Sequence, residues 1–506
     1  MAEPRSDAAV EMAVHDGLSS LVWRGDPHGT GIRTANSWED LRAGSGYITF
    51  EGNKSTMRDS ADTIFAQATP PGRSAVAVIR ISGAQAFAAA AAFGCDVPAP
   101  GRFAVARLVD ADDAPLDEAI LLAMKGPRSS TGEDVLEIHA HGSMAVTATI
   151  LARLGTLDGF RPAGPGEFTQ RMFANGKIDL LGTEALADLI DAETDRQRLQ
   201  AWRQRDGALH GPVEAWRSAL VALSANLEAL IDFADEELPL ELLARINAET
   251  LQLATAIDAV LDDGGEGERV RSGVTVSLAG PVNAGKSTLL NRLAGRPVAI
   301  VSSQAGTTRD VVSVRIDLDG VPVTLMDTAG LRATSDLVEA EGVRRAESAA
   351  READIVLIVV DPGAADWQEE LARLKALVAG PHAVILTKRD NFDGDLPARP
   401  PESLFVSLRE GGPEGDLEAV LGLLRQLVMP ANSPDRQSIV TRARHRHALA
   451  VAASALRAAA ACDMASAPEL AAEEYRRAAD SLGRVTGQID VEELLDTIFS
   501  SFCIGK

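Results

Sequence analysis

The chain has 506 residues, enough for two to four domains, and a formal net charge of −24. Because Lys and Arg contacts with phosphates dominate nucleic-acid affinity, so acidic a chain is a poor non-specific binder, and an RNA or DNA substrate would depend on a basic partner or a local basic patch. No apolar run reaches the length of a membrane span, and three widely spaced cysteines (Cys95, Cys462 and Cys503) are typical of a reducing cytoplasm rather than of a disulfide-bonded or zinc-binding protein.

Residues 1–56 differ in composition from the rest of the chain. They are rich in Gly, Ser and Asp and lack a cationic start followed by an apolar core, which excludes a secretory signal and argues against a transit peptide. We predict a disordered extension or an upstream start before Met57, although Trp23, Trp38 and Tyr47 are unusual for disorder.

Short strands and helices with Gly and Pro between them predict an α+β domain over residues 57–175. The predicted elements are strands at 63–68, 75–81, 119–124 and 135–139, and a helix at 84–93.

Two helix-periodic, Ala- and Leu-rich segments, residues 176–268 and 431–506, flank a segment that alternates strands with helices, residues 269–430. The predicted strands of the middle segment are 274–278, 311–318, 323–326, 355–360, 383–386 and 404–406. The fold class is therefore multidomain α/β and α, with an α/β domain inserted into a discontinuous helical bundle. Such an insert can move helices on both sides of it.

Residues 280–287 read Gly-Pro-Val-Asn-Ala-Gly-Lys-Ser, a P-loop that directly follows an apolar run. Its backbone N–H groups and the N-terminal end of the next helix would cradle phosphates. Lys286 would reach the β- and γ-phosphates, and Ser287 would bind Mg²⁺. The pattern predicts binding of a nucleoside triphosphate.

Two further motifs contain candidate ligands for the metal and for the γ-phosphate. In Gly-Thr-Thr-Arg-Asp, residues 306–310, Thr308 is the candidate second Mg²⁺ hydroxyl. In Asp-Thr-Ala-Gly, residues 327–330, Asp327 follows an apolar strand and would lie near the metal shell, with the Gly330 N–H near the γ-phosphate.

Two motifs point to guanine. Asp390, in Thr-Lys-Arg-Asp at residues 387–390, can accept from the guanine N1–H and amine, which adenine does not offer, and residues 407–409 would back the base. Thr387 stands where Asn is usual and Leu408 where Ala is usual, so base affinity is expected to be weakened.

The residue that orients the attacking water is not evident from these motifs. Leu331 stands where a Ras-like enzyme carries glutamine. Another group must act, although sequence alone favours the interpretation of each candidate as an exposed charge on a mobile loop. The candidates are Glu339, Glu341, Arg309 and Arg332.

These motifs, with the tail Phe-Cys-Ile-Gly-Lys at 502–506, closely resemble the MnmE (TrmE) family of tRNA modification GTPases, from about residue 62 to the C-terminus. Other matching stretches, which generic GTPases lack, are 68–72, 80–83, 131–137, 165–169 and 175–180.

The resemblance implies a dimerising, folate-binding N-terminal domain, a split helical domain and an inserted Ras-like G domain. It implies an FAD-binding partner of the MnmG type, with which the family adds a carboxymethylaminomethyl-type group at C5 of a tRNA wobble uridine. The one-carbon source is a tetrahydrofolate derivative, 5-formyl or 5,10-methylene. The folate contacts fall on Arg80, Glu137, Lys177 and Lys506. Without the resemblance, Arg80 and Glu137 are more simply ordinary ion-pair residues.

The resemblance also implies a K⁺ ion near the β–γ bridge, held when two G domains dimerise. The implied ligands are Asn283, Ser302, Gln304 and Thr307, although position 304 usually carries another residue in the family. Glu339 matches the glutamate that orients water through a second molecule. The predicted catalytic residues are thus Glu339, Asn283 and Thr308.

Together the motifs and the resemblance give the full predicted GTP site. Its residues are Asn283, Ala284, Gly285, Lys286, Ser287, Thr288, Ser302, Thr307, Thr308, Asp327, Thr328, Ala329, Gly330, Thr387, Lys388, Asp390, Ser407, Leu408 and Arg409.

The alternative function is an Era-like regulatory GTPase in ribosome assembly, which is disfavoured because no RNA-binding domain with a basic face is evident. A folate-binding scaffold with a vestigial GTPase is disfavoured by the intact Lys286, Ser287, Thr308 and Asp327. Cys503 superficially fits a prenylation signal, but Gly505 and Lys506 fit it poorly. Whether Cys503 is catalytic or structural stays open.

Overall fold

The computed structural model divides the chain into two units, residues 1–60 and 61–506. In the first unit it describes the backbone of two strands. In the second it describes residues 62–232, 240–300, 313–327, 353–393, 399–409, 413–429 and 438–488, together with 495, 498–500, 502, 504 and 505.

The first unit contains an antiparallel hairpin of β1 (Glu11–His15) and β2 (Leu18–Val22), with His15 opposite Leu18. The prediction for residues 1–56 as a whole, a disordered extension or an upstream start, stays a prediction. The two intervening residues are Asp16 and Gly17, and a two-residue Asp-Gly connection between strand-forming segments is a strong hairpin signal.

The first domain of the second unit is built on a sheet of order β5-β6-β7-β4-β3-β8, in which β3 and β8 are parallel and the other pairs antiparallel. Its helices α1 and α2 contribute to a core on one face that includes Ile79, Phe93, Leu121 and Ile150. The elements are β3 (Thr63–Gln67), β4 (Ser74–Ser82), α1 (Ala88–Ala92), β5 (Phe103–Val109), β6 (Pro115–Met124), β7 (Val135–Gly142), α2 (Met144–Leu154), β8 (Phe160–Pro162) and α3 (Glu167–Ala174).

Helix α1 is shorter than the predicted 84–93. The residues before it form turns, in which the N–H of Ala86 donates to the Gly83 carbonyl and that of Ala88 to the Gln85 carbonyl. These three-residue spacings are tighter than those of an α-helix. An alanine-rich sequence alone does not reveal where such turns end.

The helical domain comes from two separate stretches of chain that share one core, which includes Leu223, Ile257, Leu449 and Tyr475. The first stretch supplies α4 (Leu180–Asp191), α5 (Asp195–Arg205), α6 (His210–Asp232), α7 (Leu240–Leu261) and α8 (Glu266–Ser272). The second stretch supplies α12 (Ala443–Ala461) and α13 (Pro468–Thr486).

The inserted domain has a sheet of order β10-β11-β9-β12-β13-β14, parallel except for the β10–β11 pair. Its apolar side chains form cores on both faces. The parallel strands therefore carry their carboxyl ends, and the loops that follow them, to one edge. The elements are β9 (Val274–Ala279), α9 (Lys286–Ala294), β10 (Ser313–Leu318), β11 (Val321–Asp327), β12 (Ile355–Val360), α10 (Trp367–Leu377), β13 (His382–Leu386), β14 (Ser403–Phe405) and α11 (Glu414–Val428).

This arrangement confirms the predicted fold class, an α+β domain followed by a discontinuous helical bundle with an inserted α/β domain. Among the described residues, no helix is long and apolar enough to cross a membrane.

A buried carboxylate joins the two stretches of the helical domain. Glu184 of α4 is 3% exposed and accepts hydrogen bonds from Arg444 and His445 of α12. Burial alone would raise the pKa of Glu184, but these hydrogen bonds and charges outweigh it and hold the pKa well below its usual range. The carboxylate therefore stays ionised in the folded state.

We expect Glu184→Ala to lower the free energy of unfolding by about 3–5 kcal/mol, because it leaves buried cationic and polar groups without their partner. The matched control is Glu473→Ala, whose side chain pairs with Arg476 on the exposed surface of α13 and should change stability by no more than about 0.5 kcal/mol. Urea denaturation followed by circular dichroism measures both.

Comparison of the wild type with Glu184→Ala at several pH values gives a second test. Because the folded-state pKa of Glu184 is lowered, its contribution is full above the unfolded value of about 4.3 and is lost as the pH falls below it. The stability difference between the wild type and Glu184→Ala should therefore shrink on acidification. A difference that is independent of pH would contradict the ionised state.

Candidate functional site

The P-loop lies between β9 and α9 at the carboxyl edge of the inserted sheet. A Cβ on Gly280 would overlap the carbonyl oxygen of Val359, so only glycine allows this close approach of two backbones. Asn283 and Gly285 have left-handed φ values of 63° and 102°. Asn and Gly are the residues that adopt this conformation most readily, so the loop geometry follows from its sequence.

Lys286 is held inside the loop that it follows. Its side chain is almost fully buried, and Nζ donates to the carbonyl oxygens of Gly280 and Pro281, each at 2.7 Å. Burial lowers the pKa of Lys286, and the nearby charge of Asp327 opposes that shift. An ammonium group is thus already placed in the concavity of the loop, where a phosphate would give it a stronger partner.

The two groups proposed for the metal shell meet across adjacent strands. Asp327, at the end of β11, is paired in register with Leu278 of β9, and its Oδ2 accepts a 2.7 Å hydrogen bond from the Ser287 hydroxyl. A hydroxyl and a carboxylate at one edge form a set of hard oxygen donors suited to Mg²⁺.

Thr387 ties the loop of residues 387–390, predicted to recognise guanine, to the P-loop. Its side chain is 1% exposed, and Oγ1 donates to the Ala284 carbonyl at 2.7 Å. Its methyl group and Leu408 lie within van der Waals distance of the position where Gly285 would carry a Cβ. Threonine and leucine at these two unusual positions therefore pack against the loop from behind.

The carboxylate expected to recognise guanine is exposed and already oriented. The hydroxyl of Ser407 donates to Asp390 Oδ1 at 2.7 Å, and this hydrogen bond lowers the pKa of Asp390. The N–H of Ser407 in turn donates to Asp416, which also pairs with Arg389 at 2.9 Å. These contacts fix an acceptor next to the sheet edge that carries the P-loop.

The remaining described residues of the predicted GTP site have the following positions. Lys388 pairs with Asp361 at 2.6 Å, Thr288 is exposed in the first turn of α9, and the Arg409 carbonyl accepts from Arg292. Asp361 directly follows the apolar strand β12, and Asp416 lies in the first turn of α11. These positions were the available sequence signals for the two residues.

Several predicted residues lie outside the described part of the chain, and their roles stay predictions. They are Ser302, Gln304, Thr307, Thr308, Arg309, Thr328, Ala329, Gly330, Leu331, Arg332, Glu339, Glu341, Cys503 and Lys506.

In the first domain, Arg80 and Glu137 face each other in register on β4 and β7. Arg80 Nε donates to Glu137 Oε1 at 2.8 Å, and His139 Nε2 lies 3.1 Å from Oε2. The guanidinium of Arg80 also lies 5.7 Å from the ring centre of Phe168. His139 and Phe168 were not predicted as site residues, although His139 is two residues from Glu137 on a strand and so shares its face.

The C-terminal tail reaches this domain. Ile504 forms an antiparallel bridge with Pro165, and Gly505 lies so close to Gln67 that a Cβ would overlap the Gln67 carbonyl. Gln67 is next to the residue that pairs with Arg80 in register. Lys177 instead donates to the Pro127 carbonyl at 2.9 Å, whereas Arg80 and Glu137 contact each other.

Comparison with protein families identifies the chain. Residues 63–177 match the N-terminal domain of the GTP-binding protein TrmE, and residues 180–503 match the MnmE helical domain. The chain belongs to the MnmE family of tRNA modification GTPases. It is 48% identical over 449 residues to a relative from Parvibaculum lavamentivorans, covering 88% of this chain and 100% of the relative. It is 47% identical over 451 residues to one from Paramagnetospirillum magneticum, again covering 88% and 100%.

Both relatives carry the name tRNA modification GTPase MnmE. Membership of the family confirms the resemblance inferred from the motifs and places the chain among GTP hydrolases. Among solved structures, Aquifex aeolicus Era with GDP and aluminium fluoride is 23% identical, with a TM-score of 0.24, over 36% of this chain and 66% of that one.

The base-recognition geometry predicts a change of nucleotide preference. In Asp390→Asn one carboxylate oxygen, which can accept from the guanine amine, is replaced by an NH₂ group. That NH₂ group can donate to the C2 carbonyl that xanthine carries in place of the amine. We expect GDP affinity to fall roughly 10- to 100-fold, the size of one charged hydrogen bond, while xanthosine diphosphate binds more tightly than to the wild type.

Competition against a fluorescent GDP analogue measures both affinities. The control is Asp393→Asn, the same chemical change on an exposed residue three positions later. Unchanged GDP affinity in Asp390→Asn would remove Asp390 from the base site.

Proposed function

We propose that the chain is a K⁺-dependent GTPase that acts with an FAD-binding partner of the MnmG type. Together they add a carboxymethylaminomethyl-type group at C5 of the tRNA wobble uridine, with a tetrahydrofolate derivative as one-carbon donor. The observation that carries the proposal is the ordered nucleotide site, Lys286, Ser287–Asp327 and Asp390–Ser407, in a chain 48% identical to the full length of a relative named tRNA modification GTPase.

The chemistry of hydrolysis is charge stabilisation by ions that the loop would hold. Mg²⁺ would be bound by Ser287 and Thr308, and K⁺ by Asn283 with Ser302, Gln304 and Thr307. The exposed amide of Asn283 on a left-handed turn fits the role of a cation ligand, because its oxygen is a hard donor at the outer side of the P-loop. Bound K⁺ would stabilise negative charge on the bridging oxygen, and Glu339 would orient the attacking water.

The one-carbon donor would bind the first domain at Arg80, Glu137, Lys177 and Lys506. Cationic side chains suit the glutamate carboxylates of a folate, and a carboxylate suits the N–H groups of a pterin. Glu137 is 8% exposed, and Arg80 and His139 each contact one of its oxygens. Since each carboxylate oxygen has a second lone pair, Glu137 can accept from a ligand without releasing its protein partners.

The strong net negative charge suggests that tRNA is held largely by the partner protein. We propose a homodimer that forms a heterocomplex with this partner in the cytoplasm. The Era-like alternative in ribosome assembly has less support, since the two matched families cover the TrmE N-terminal domain and the MnmE helical domain.

The K⁺ proposal is tested by GTP turnover in KCl and in NaCl at equal ionic strength. We expect much faster turnover in K⁺, and in Asn283→Ala a loss of roughly 10²-fold in K⁺, the size typical of losing one preorganised charge-stabilising contact. GDP affinity should change little.

Val282→Ala is the control, because Val282 is the neighbouring residue in the same loop and is 82% exposed. Equal turnover of the wild type in the two salts would refute the K⁺ site.

A further inference from the structure

The turn between β10 and β11 lies against the N-terminal end of α5 in the helical domain. The Thr194 hydroxyl, at the N-cap of α5, donates to the Gly320 carbonyl at 2.7 Å. Gly320 has a φ of 88°, and a Cβ there would overlap the side chain of Arg196. The hairpin turn and the helix end are therefore in direct contact, with no room for a larger residue.

An ion pair between Glu193 and Arg315 lies beside this contact. Arg315 is on β10, and its Nε also donates to Thr324 on β11 at 3.2 Å. Both charged side chains are partly exposed, so changing them should cost little stability. The pair nevertheless links the sheet of the inserted domain to the α4–α5 corner.

Strand β11 connects this corner with the nucleotide site. One end follows Gly320, and the other is Asp327, which accepts from Ser287 in the candidate metal shell. The strand spans about 20 Å and is paired with β9 on one side and β10 on the other. Residues 323–326 are paired on both sides, residues 321–322 with β10 and Asp327 with β9. We therefore expect a displacement at Asp327 to be carried to Gly320.

The receiving helix corner leads to the first domain and the tail. Helix α4 ends at Asp191, just before Glu193 and Thr194, and its first residue, Leu180, packs with Phe499 and Phe502. The chain thus has continuous packing from the hairpin turn through α4 to the segment that precedes the docked C-terminus.

We propose that the Glu193–Arg315 ion pair and the Thr194–Gly320 hydrogen bond form a coupling joint that carries the nucleotide state to the helical domain. Glu193 and Arg315 are then positioning residues for tRNA modification and are not needed for GTP hydrolysis. The inference rests on the GTP binding proposed above and adds the route by which that site acts elsewhere.

A charge exchange tests the joint in the full-length chain. The variants are Glu193→Arg, Arg315→Glu and the double variant that carries both. Hydrogen–deuterium exchange of residues 191–205 is compared between the GDP-bound state and the state with β,γ-imido GTP, in Mg²⁺ and K⁺.

In the wild type we expect a nucleotide-dependent difference in exchange at this corner. Each single variant should reduce that difference at least about threefold, and the double variant should restore it, because only the exchange of charges rebuilds the pair. GTP turnover should stay within about twofold of the wild type in all three, and wobble-uridine modification in cells should follow the exchange data.

Arg425→Glu is the matched control. Arg425 pairs with Asp319 of the same turn at 3.1 Å, but it belongs to α11 of the inserted domain. The Arg425→Glu variant makes the same change of charge as Arg315→Glu without touching the helical domain. Its nucleotide-dependent difference in exchange should therefore equal that of the wild type. Loss of the response in Arg425→Glu would show a general disturbance of the turn and overturn the joint.

Two other results overturn the inference. One is a wild-type response in both single variants, and the other is failure of the double variant to restore what the single variants lose. Titration with a fluorescent GDP analogue distinguishes failure of the coupling joint from failure of the proposed function. Tight binding without any response at residues 191–205 refutes the joint alone, whereas absence of binding refutes the nucleotide proposal and the joint with it.

Discussion

Asp188 of α4 accepts hydrogen bonds from Arg271, on the connection into the inserted domain, and from Arg442, on the connection out of it. The polypeptide chain must leave the helical bundle and return to it at neighbouring points on either side of the inserted domain. Asp188 Oδ1 accepts from both of these connections. The adjacent Glu184 fixes α12, the first helix after the insert, to α4. The inserted sheet is thus anchored at its base, and displacements inside it can appear at the hairpin turn that touches α5.

The charged groups of the candidate nucleotide site are hydrogen-bonded to protein partners. Lys286 is satisfied by two loop carbonyls, Ser287 by Asp327, and Asp390 by Ser407. These contacts restrain the side chains, so we expect little ordering entropy to be lost if a nucleotide binds there. In the first domain, Glu137 is likewise restrained by its contacts with Arg80 and His139.

Much of the inserted domain could be predicted from the sequence, because buried parallel strands are continuous apolar runs. The predicted strand 355–360 coincides with β12, and the P-loop motif has the predicted strand before it and helix after it. Local patterns were sufficient in these cases, since the chemistry and the periodicity are contained within a few residues.

Contacts between distant segments could not be predicted in this way. Arg80 and Glu137 were predicted as folate contacts or as ordinary ion-pair residues, but no local pattern showed that they pair with each other. The antiparallel pairing of β4 with β7 places these residues, 57 positions apart, in register. The Glu193–Arg315 pair depends on how two domains dock, which no local pattern encodes. The hairpin of β1 and β2, by contrast, has a local signal in the sequence, Asp16-Gly17.

The central claim, that this chain modifies tRNA, is tested most directly by mass spectrometry of tRNA nucleosides from cells in which its gene is deleted. The account predicts loss of the carboxymethylaminomethyl-type group from wobble uridine and its return when the wild-type chain is supplied. A normal level of this modification in the deleted cells would contradict the account.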